Sequence, residues 1–394
     1  MRPLIAFARM LVLAGCSLAV VSAAQSPKLP PVAEYFVYFG TYTGGKSKSK
    51  GIYRARLDVA TGKLSEPELA IEAGDPAFLA VHPKGGYLYA INERSDPKTT
   101  PGKGLMAYAI EAGTGKLTLL NEQSAGGPGP CHLAVDAQGK CVVVANYGGG
   151  STVAVKLLSD GRLGDVGSVI QHAGKSVHPT RQTAPHAHVV ALTPEHDFAL
   201  VADLGLDQVL TYKLDPAKAE LVAHKPPFTA LTPGAGPRHI AFRPDGKFVY
   251  VINELTCTMT TFRLHARRGT LEELQTVSTL PAGVAVERGY STAEVIAHPG
   301  GKFLYGSNRG HDTIAVFAIE EATGKLTLVE NVATQGKAPR HFAVDPSGGW
   351  LLAENQNSDS VVVFRIDAKT GRLTPTGQKL EIPVPVCAVF VAAK

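Results

Sequence analysis

Along most of the chain, short apolar runs alternate with polar turns, and one order of runs and turns recurs. Three copies show it plainly: GPRHIAFRPDGKFVYVINE at 236–254, TAEVIAHPGGKFLYGSNR at 292–309 and APRHFAVDPSGGWLLAENQ at 338–356. Copies at 76–93, 130–147 and 187–204 keep the same frame. Each reads as an apolar strand, a Pro or Asp-Gly turn, and a second apolar-aromatic strand closed by a polar turn. A third strand follows, as at 152–159, 313–320 and 360–367, and a turn such as Thr-Gly-Lys-Leu (61–64, 114–117, 323–326) or its Gly-Arg-Leu variants (160–163, 370–373) launches a fourth.

The register of the copies is fixed. Nine residues after the turn positions Pro83, Ala137, Pro194, Pro244, Pro299 and Pro346 stand Asn92, Asn146, Asp203, Asn253, Asn308 and Asn355. The intervals between these Asn-type positions are 54, 57, 50, 55 and 47 residues, which is the period of four-stranded propeller blades. A further unit is split between the chain ends. Residues 35–43 have the form of a second strand without a first, and residues 384–392 form an apolar strand without a following partner. Pairing them would close the ring and remove its exposed edges. The pattern therefore predicts an all-β chain, one seven-bladed β-propeller of four-stranded antiparallel blades over 35–394.

Composition agrees. Of 394 residues, 44% are hydrophobic and only 19% charged, enough to bury a large core, and 41 Gly with 27 Pro suit many turns. A formal net charge of +5 says little about partners, but no basic run interleaved with aromatics points to nucleic acid, and none is expected; Lys46, Lys48 and Lys50 read as a solvated loop. The first 24 residues read as an export signal: Arg2 and Arg9, an apolar stretch from Met10 to Val21, then Ser22-Ala23-Ala24. Residues 25–34 would then be a linker, and the protein would be periplasmic or secreted. Leu13-Ala14-Gly15-Cys16 resembles a lipobox, so lipidation at Cys16 would instead tether it to a membrane. No other apolar run reaches membrane-spanning length. Cys131, Cys141, Cys257 and Cys387 show no disulfide or zinc spacing and read as buried free thiols. Nothing in the sequence sets an oligomeric state.

Candidate chemistry lies where the repeat is interrupted. Six residues before each turn position stand Ala77, Cys131, His188, Arg238, Ala293 and Arg340; five before stand Phe78, His132, Val189, His239, Glu294 and His341. In a propeller these are the first residues of the channel-lining strands. His132, His239 and His341 recur in one column and read as hydrogen-bonding devices between blades. His188, Arg238, Arg340 and Glu294 are not imposed by the repeat, nor are Glu93, Glu254 and Arg309 just past the second strands. Glu, His and Arg converging at one rim would bind an anion and exchange a proton with it. The loop 177–188 adds Arg181, His186 and His188. A His-x-His pair shares one face of a strand, but no carboxylate lies close in sequence to complete a metal site, so neither metal nor cofactor is expected.

With these residues the chain resembles the seven-bladed propeller lactonases, the family of the bacterial propeller-type 6-phosphogluconolactonase and the fungal carboxy-cis,cis-muconate cyclase. The resemblance spans residues 35 to about 392. It rests on Tyr38-Phe39-Gly40-Thr41-Tyr42-Thr43, on Arg181-Gln182 with Pro185-His186-Ala187-His188, on Pro237-Arg238-His239, on Asn253-Glu254, on Ala293-Glu294 and on Ser307-Asn308-Arg309. It implies hydrolysis of a sugar lactone at the rim, with His186 or His188, Glu254 and Arg309 in catalysis and Arg181, Arg238 and Glu294 on the substrate. Arg238 and Arg309 would clamp a carboxylate or phosphate and stabilise the oxyanion, while Glu254 or a histidine takes a proton from water. No Gly-x-Ser-x-Gly elbow is present. A phosphorylated sugar lactone is a cytosolic metabolite, so an exported enzyme of this kind would act on an unphosphorylated one. Two other readings use the same residues: a cycloisomerase of muconate-type lactones, and a non-catalytic propeller that binds a ligand or protein at its rim.

Overall fold

The computed structural model describes residues 32–393. The export signal read at 1–24, Cys16 and the linker up to residue 31 lie outside the described residues. The rest folds as seven four-stranded antiparallel sheets. The first strands are Leu79–Val81, Pro130–Val135, Ala187–Leu192, Pro237–Phe242, Ser291–Ala297 and Pro339–Val344, numbered here as blades two to seven. Blade one takes its first strand, Pro385–Ala392, from the C-terminus and its second, Glu34–Thr41, from the N-terminus, paired from Tyr35↔Ala392 to Thr41↔Pro385. The ring closes there as the split repeat predicts. First strands of adjacent blades touch one another round the ring, so they line the channel.

Because each sheet is sandwiched between two neighbours, its inner strands bury both faces and read as continuous apolar runs. Cys141–Asn146 is buried throughout, whereas the outermost strand of the same blade, Leu163–Gln171, alternates with solvent. The core therefore lies between blades: Leu200, Ala202 and Val209 of blade four pack on Val249, Val251 and Phe262 of blade five. Burying side chains of this size contributes about 1.5–3 kcal/mol each.

The recurring Gly-Lys-Leu and Gly-Arg-Leu turns have a specific job at the rim opposite the strand starts. In each, the glycine sits at positive φ (Gly62, Gly115, Gly161, Gly324, Gly371), and a Cβ there would fall within 2.7 Å of an aromatic ring in the preceding blade. Four of these turns also accept a hydroxyl from that blade: Tyr38 donates to the carbonyl of Gly115, Tyr89 to Gly161, Tyr250 to Gly324 and Tyr305 to Gly371. At the ring closure Trp350 covers Gly62, and its indole N–H donates to the Val59 carbonyl. The turn is thus a latch, and its repetition in the sequence is a packing requirement.

The Asn column fixes the other rim. The Asn308 amide donates to the Thr279 carbonyl and the Asn146 amide to the Ala125 carbonyl, while Asp203 Oδ1 accepts the N–H groups of His186, Gly205 and Leu206. Each ties an incoming loop to the end of a second strand. All four cysteines of the propeller are free and buried. Among the described residues no helix is long and apolar enough to cross a membrane.

Candidate active site

The column six residues before the turns acquires its special character from backbone pairing. In six blades the first strand carries one more residue than its partner near its start, so the ladder slips. The extra residue is Val386, Cys131, His188, Arg238 or Arg340, and in blade six Ala293-Glu294 face the single Ser307. A bulge turns a side chain out of the pleat. Consecutive residues therefore both reach the channel, Arg238 at the basin and His239 one level deeper.

Above the bulges lies a cavity of about 300 Å³, bordered by Glu93, Tyr147, Arg181, His188, Glu254, Arg309 and Arg340 among others. Its centre is Glu254. Arg181 approaches Oε1 at 2.5 Å, and Arg238 and Arg309 approach Oε2 at 3.0 and 3.1 Å. These guanidiniums come from the loop before blade four, from blade five and from blade six. Burial alone would push the Glu254 carboxyl up, but Arg309, Arg238 and Arg181 outweigh it and hold the group at about 2. Such a carboxylate stays ionised and is a weak proton acceptor at neutral pH. Glu254 thus gathers three cations at one point.

On the opposite wall Tyr42 donates to Glu93 Oε2 at 2.7 Å, and Arg340 lies 3.6 Å from Glu93 Oε1 and over the Tyr42 ring at 5.4 Å. Four guanidiniums face two carboxylates, leaving the basin positive. Arg238, buried and crowded by Arg309 and Arg340, is held down at about 10. Arg309 donates to Thr292 O at 2.7 Å, while its Nε–H is buried and meets no acceptor in the protein.

His188 is the histidine that borders this cavity. Burial first, then Arg238, His239 and Arg340, keeps its pKa well below the usual imidazole value, so the ring is neutral. The Tyr147 ring stands edge-on to it at 5.3 Å.

Of the residues expected from sequence, Arg181, His188, Glu254 and Arg309 border the cavity, and Arg238 supports it through Glu254. Glu294 lies one level deeper, hydrogen-bonded to His239. His186 does not border the cavity: it stacks behind Tyr147 at 4.5 Å, with Nδ1 3.0 Å from the Tyr147 carbonyl. Tyr147 and Glu354 escaped the sequence reading. Tyr147 occupies the column of Glu93, Glu254 and Arg309, one past the Asn, and an uncharged residue drew no notice there. Glu354 is a lone carboxyl in an otherwise uncharged column, one before the Asn. The three recurring histidines do bond between blades: Val190 N–H donates to His132, His239 meets Glu294, and Ala388 N–H donates to His341.

Among the described residues no three His, Cys, Asp or Glu side chains are grouped to hold a metal ion. A larger cavity of about 480 Å³ opens at the latch rim between blades one and two, bordered by Phe36, His82, Lys84, Ile110, Glu111 and Phe390 among others.

Comparison with known proteins agrees with this fold. The family model described as "Lactonase, 7-bladed beta-propeller" matches residues 36–390. The 6-phosphogluconolactonase of Bacillus subtilis strain 168 is 40% identical over 361 residues, covering 91% of this chain and 99% of the relative. That of Formosa agariphila is 33% identical, covering 78% of this chain and 86% of its own. The solved structure of the periplasmic gluconolactonase of Pseudomonas aeruginosa superposes with a TM-score of 0.82 at 32% identity, covering 92% of this chain and all of the other. With ring, bulged strands and the match along the whole propeller in accord, this chain belongs to the seven-bladed β-propeller lactonase family.

Proposed function

We propose that this lactonase hydrolyses the ring ester of a sugar lactone in the basin around Glu254, with His188 as proton acceptor and Arg309 facing the developing oxyanion. The observation that carries this reading is a neutral buried imidazole beside an arginine cluster organised by one permanently ionised carboxylate. The cavity, about 300 Å³, suits a monosaccharide-sized ligand. Water adds to the ring carbonyl while His188 takes its proton, and negative charge collects on the carbonyl oxygen. Arg309 borders the cavity and sets its guanidinium charge beside the place where that charge develops. Arg238 and Arg340 keep the basin positive for the product carboxylate. Glu254 serves by holding Arg181, Arg238 and Arg309 at one point against their mutual repulsion.

The favoured substrate is an unphosphorylated sugar lactone. Residues 1–24 read as an export signal, and the periplasmic gluconolactonase of Pseudomonas aeruginosa is among the similar proteins. The positive basin then answers to charge that develops during the reaction rather than to a phosphate carried in. The test is a panel of free and phosphorylated aldonolactones offered to the protein lacking residues 1–24, with Arg309→Ala beside it. Hydrolysis of free aldonolactones, with kcat/KM reduced about 10²–10³-fold in Arg309→Ala, is expected. Equal rates in the variant, or activity confined to phosphorylated lactones, overturn the respective halves. Running the reaction in heavy-oxygen water separates hydrolysis, which incorporates solvent oxygen, from cycloisomerisation, which does not.

A further inference from the structure

Hydrolysis of an ester at neutral pH leaves one proton behind at each turnover. Water adds to the ring carbonyl as His188 takes one of its protons, the ring C–O bond breaks as His188 returns that proton to the departing alkoxide oxygen, and the carboxylic acid formed gives its remaining proton to His188. His188 returns to its neutral form only when that second proton leaves it. Above it stand four guanidiniums, which oppose the departure of a cation through the basin.

Below it the channel is filled by a second set of titratable groups that hydrolysis at the rim does not itself use. His239 Nδ1 lies 2.9–3.0 Å from the two oxygens of Glu294. His341 joins Glu294 to Glu354, with Nε2 3.5 Å from Glu294 Oε2 and Nδ1 2.8 Å from Glu354 Oε2. A void of about 10 Å³, the space of a single water, is bordered by His188, His239, Glu294 and His341. His341 also borders a cavity of about 330 Å³ at the other end of the channel, with Pro346, Ala388 and Phe390. The series thus runs from the floor of the basin to the opposite mouth.

We infer that His239, Glu294 and His341, with Glu354 as a holding group, carry the released proton from His188 through the channel to the opposite mouth. The inference rests on the lactone-hydrolysis reading above.

Three observations support it. At this level blades two and four use Phe78 and Val189, so a scaffold needs no acid or base there. One oxygen of Glu354, Oε1, is buried without a hydrogen-bond partner, an arrangement a purely structural network would avoid. Burial pushes both carboxyls up and both histidines down, against the ordinary preference of imidazole over carboxyl for a proton. Arg238 and Arg340 face the series from the basin side, and His132 and Phe78 close it across the channel. The arginines drive a proton downward.

Glu294→Gln keeps the shape and removes the proton acceptor. Its kcat is expected to fall at least about tenfold in dilute buffer with KM unchanged, and added imidazole should restore most of the loss while leaving the wild type unaffected. His341→Phe, which interrupts the series at the far end, should behave in the same way. Wild-type kcat for Glu294→Gln in dilute buffer overturns the inference. So does a loss that imidazole does not restore, since a structural defect would not respond to an external base. Should the wild type hydrolyse no lactone, the functional reading fails and the relay is judged by histidine NMR. A His188 titration displaced in Glu294→Gln supports a shared proton, and an unmoved one overturns it.

Discussion

At one rim of the propeller, a glycine at positive φ slides under an aromatic ring of the neighbouring blade, and the same solution recurs from blade to blade. At the other rim, the same strands begin with a bulge, and the bulged residue is Cys131 in one blade, His188, Arg238 or Arg340 in others. The latch tolerates little variety because a turn, a ring and a hydroxyl must fit together. The bulge constrains only the backbone, so its side chain is free to differ. Stability and chemistry are thereby placed at opposite ends of the strands, and a substitution at either rim should disturb one property and spare the other.

The largest expected effect falls at the basin. Glu254→Gln removes the charge that holds Arg181, Arg238 and Arg309 together, and kcat/KM for a lactone should fall about 10³-fold or more. Stability should change as well, with a defined sign. The folded pKa of about 2 lies below the ordinary carboxylate value of 4.5, so the Glu254 contribution is present above about pH 4.5 and lost as pH falls toward 2. A shift of that size corresponds to about 3 kcal/mol at neutral pH. Glu354 works in the opposite direction: burial, then the neighbouring Glu294, raises its pKa well above 4.5. Its contribution is present below pH 4.5 and lost as pH rises through the folded value. Glu254→Gln should therefore melt lower at pH 7 and lose the steep acid limb below pH 4.5. Glu354→Gln should melt higher at pH 7. Denaturation curves across pH that moved the same way for both would break this contrast.

How much of this was legible beforehand follows from the same division. The latch turns, the Asn column and the split blade have fixed physical requirements, so they repeat and can be counted from sequence. Arg238 and Arg340 at the start of channel strands, and Glu254 and Arg309 at the end of second strands, stood out because the repeat does not impose charge there. What sequence could not supply was pairing. The slip that aims Arg238 into the basin and sends His239 deeper exists only between two strands. The convergence of three guanidiniums from three parts of the ring on Glu254 exists only in the closed ring. His186 shows the limit from the other side: sequence proximity made it the equal of His188, yet it lies outside the bulge and packs behind Tyr147. Cys131 and Cys141 are both free, and the hairpin register sets Ala145 rather than Cys141 beside the bulge at Cys131.

At the latch rim the expected effects are smaller and fall on stability. Gly324→Ala must place a Cβ at φ +70° and 2.3 Å from a ring carbon of Phe248, which costs roughly 1–3 kcal/mol through strain and displacement of the ring. Activity per folded molecule should be unchanged, because Gly324 lies at the far rim from Glu254. A melting curve together with active-site titration checks both halves; a variant that melts normally but loses kcat would show the rims to be coupled.

The smallest effect tests whether each latch is a unit. Tyr250→Phe removes one hydroxyl donated to the Gly324 carbonyl, for about 1 kcal/mol. Tyr38→Phe removes the corresponding bond to Gly115 between blades one and two. These two sites share no partner, so their losses should add in the double variant to within about 0.5 kcal/mol. Tyr250→Phe combined with Gly324→Ala should fall short of the sum, because the alanine has already displaced the turn that the hydroxyl would bind. If the distant pair fails to add while the adjacent pair does, stability is distributed through the ring closure, and the recurring turn is not the element that locks one blade to the next.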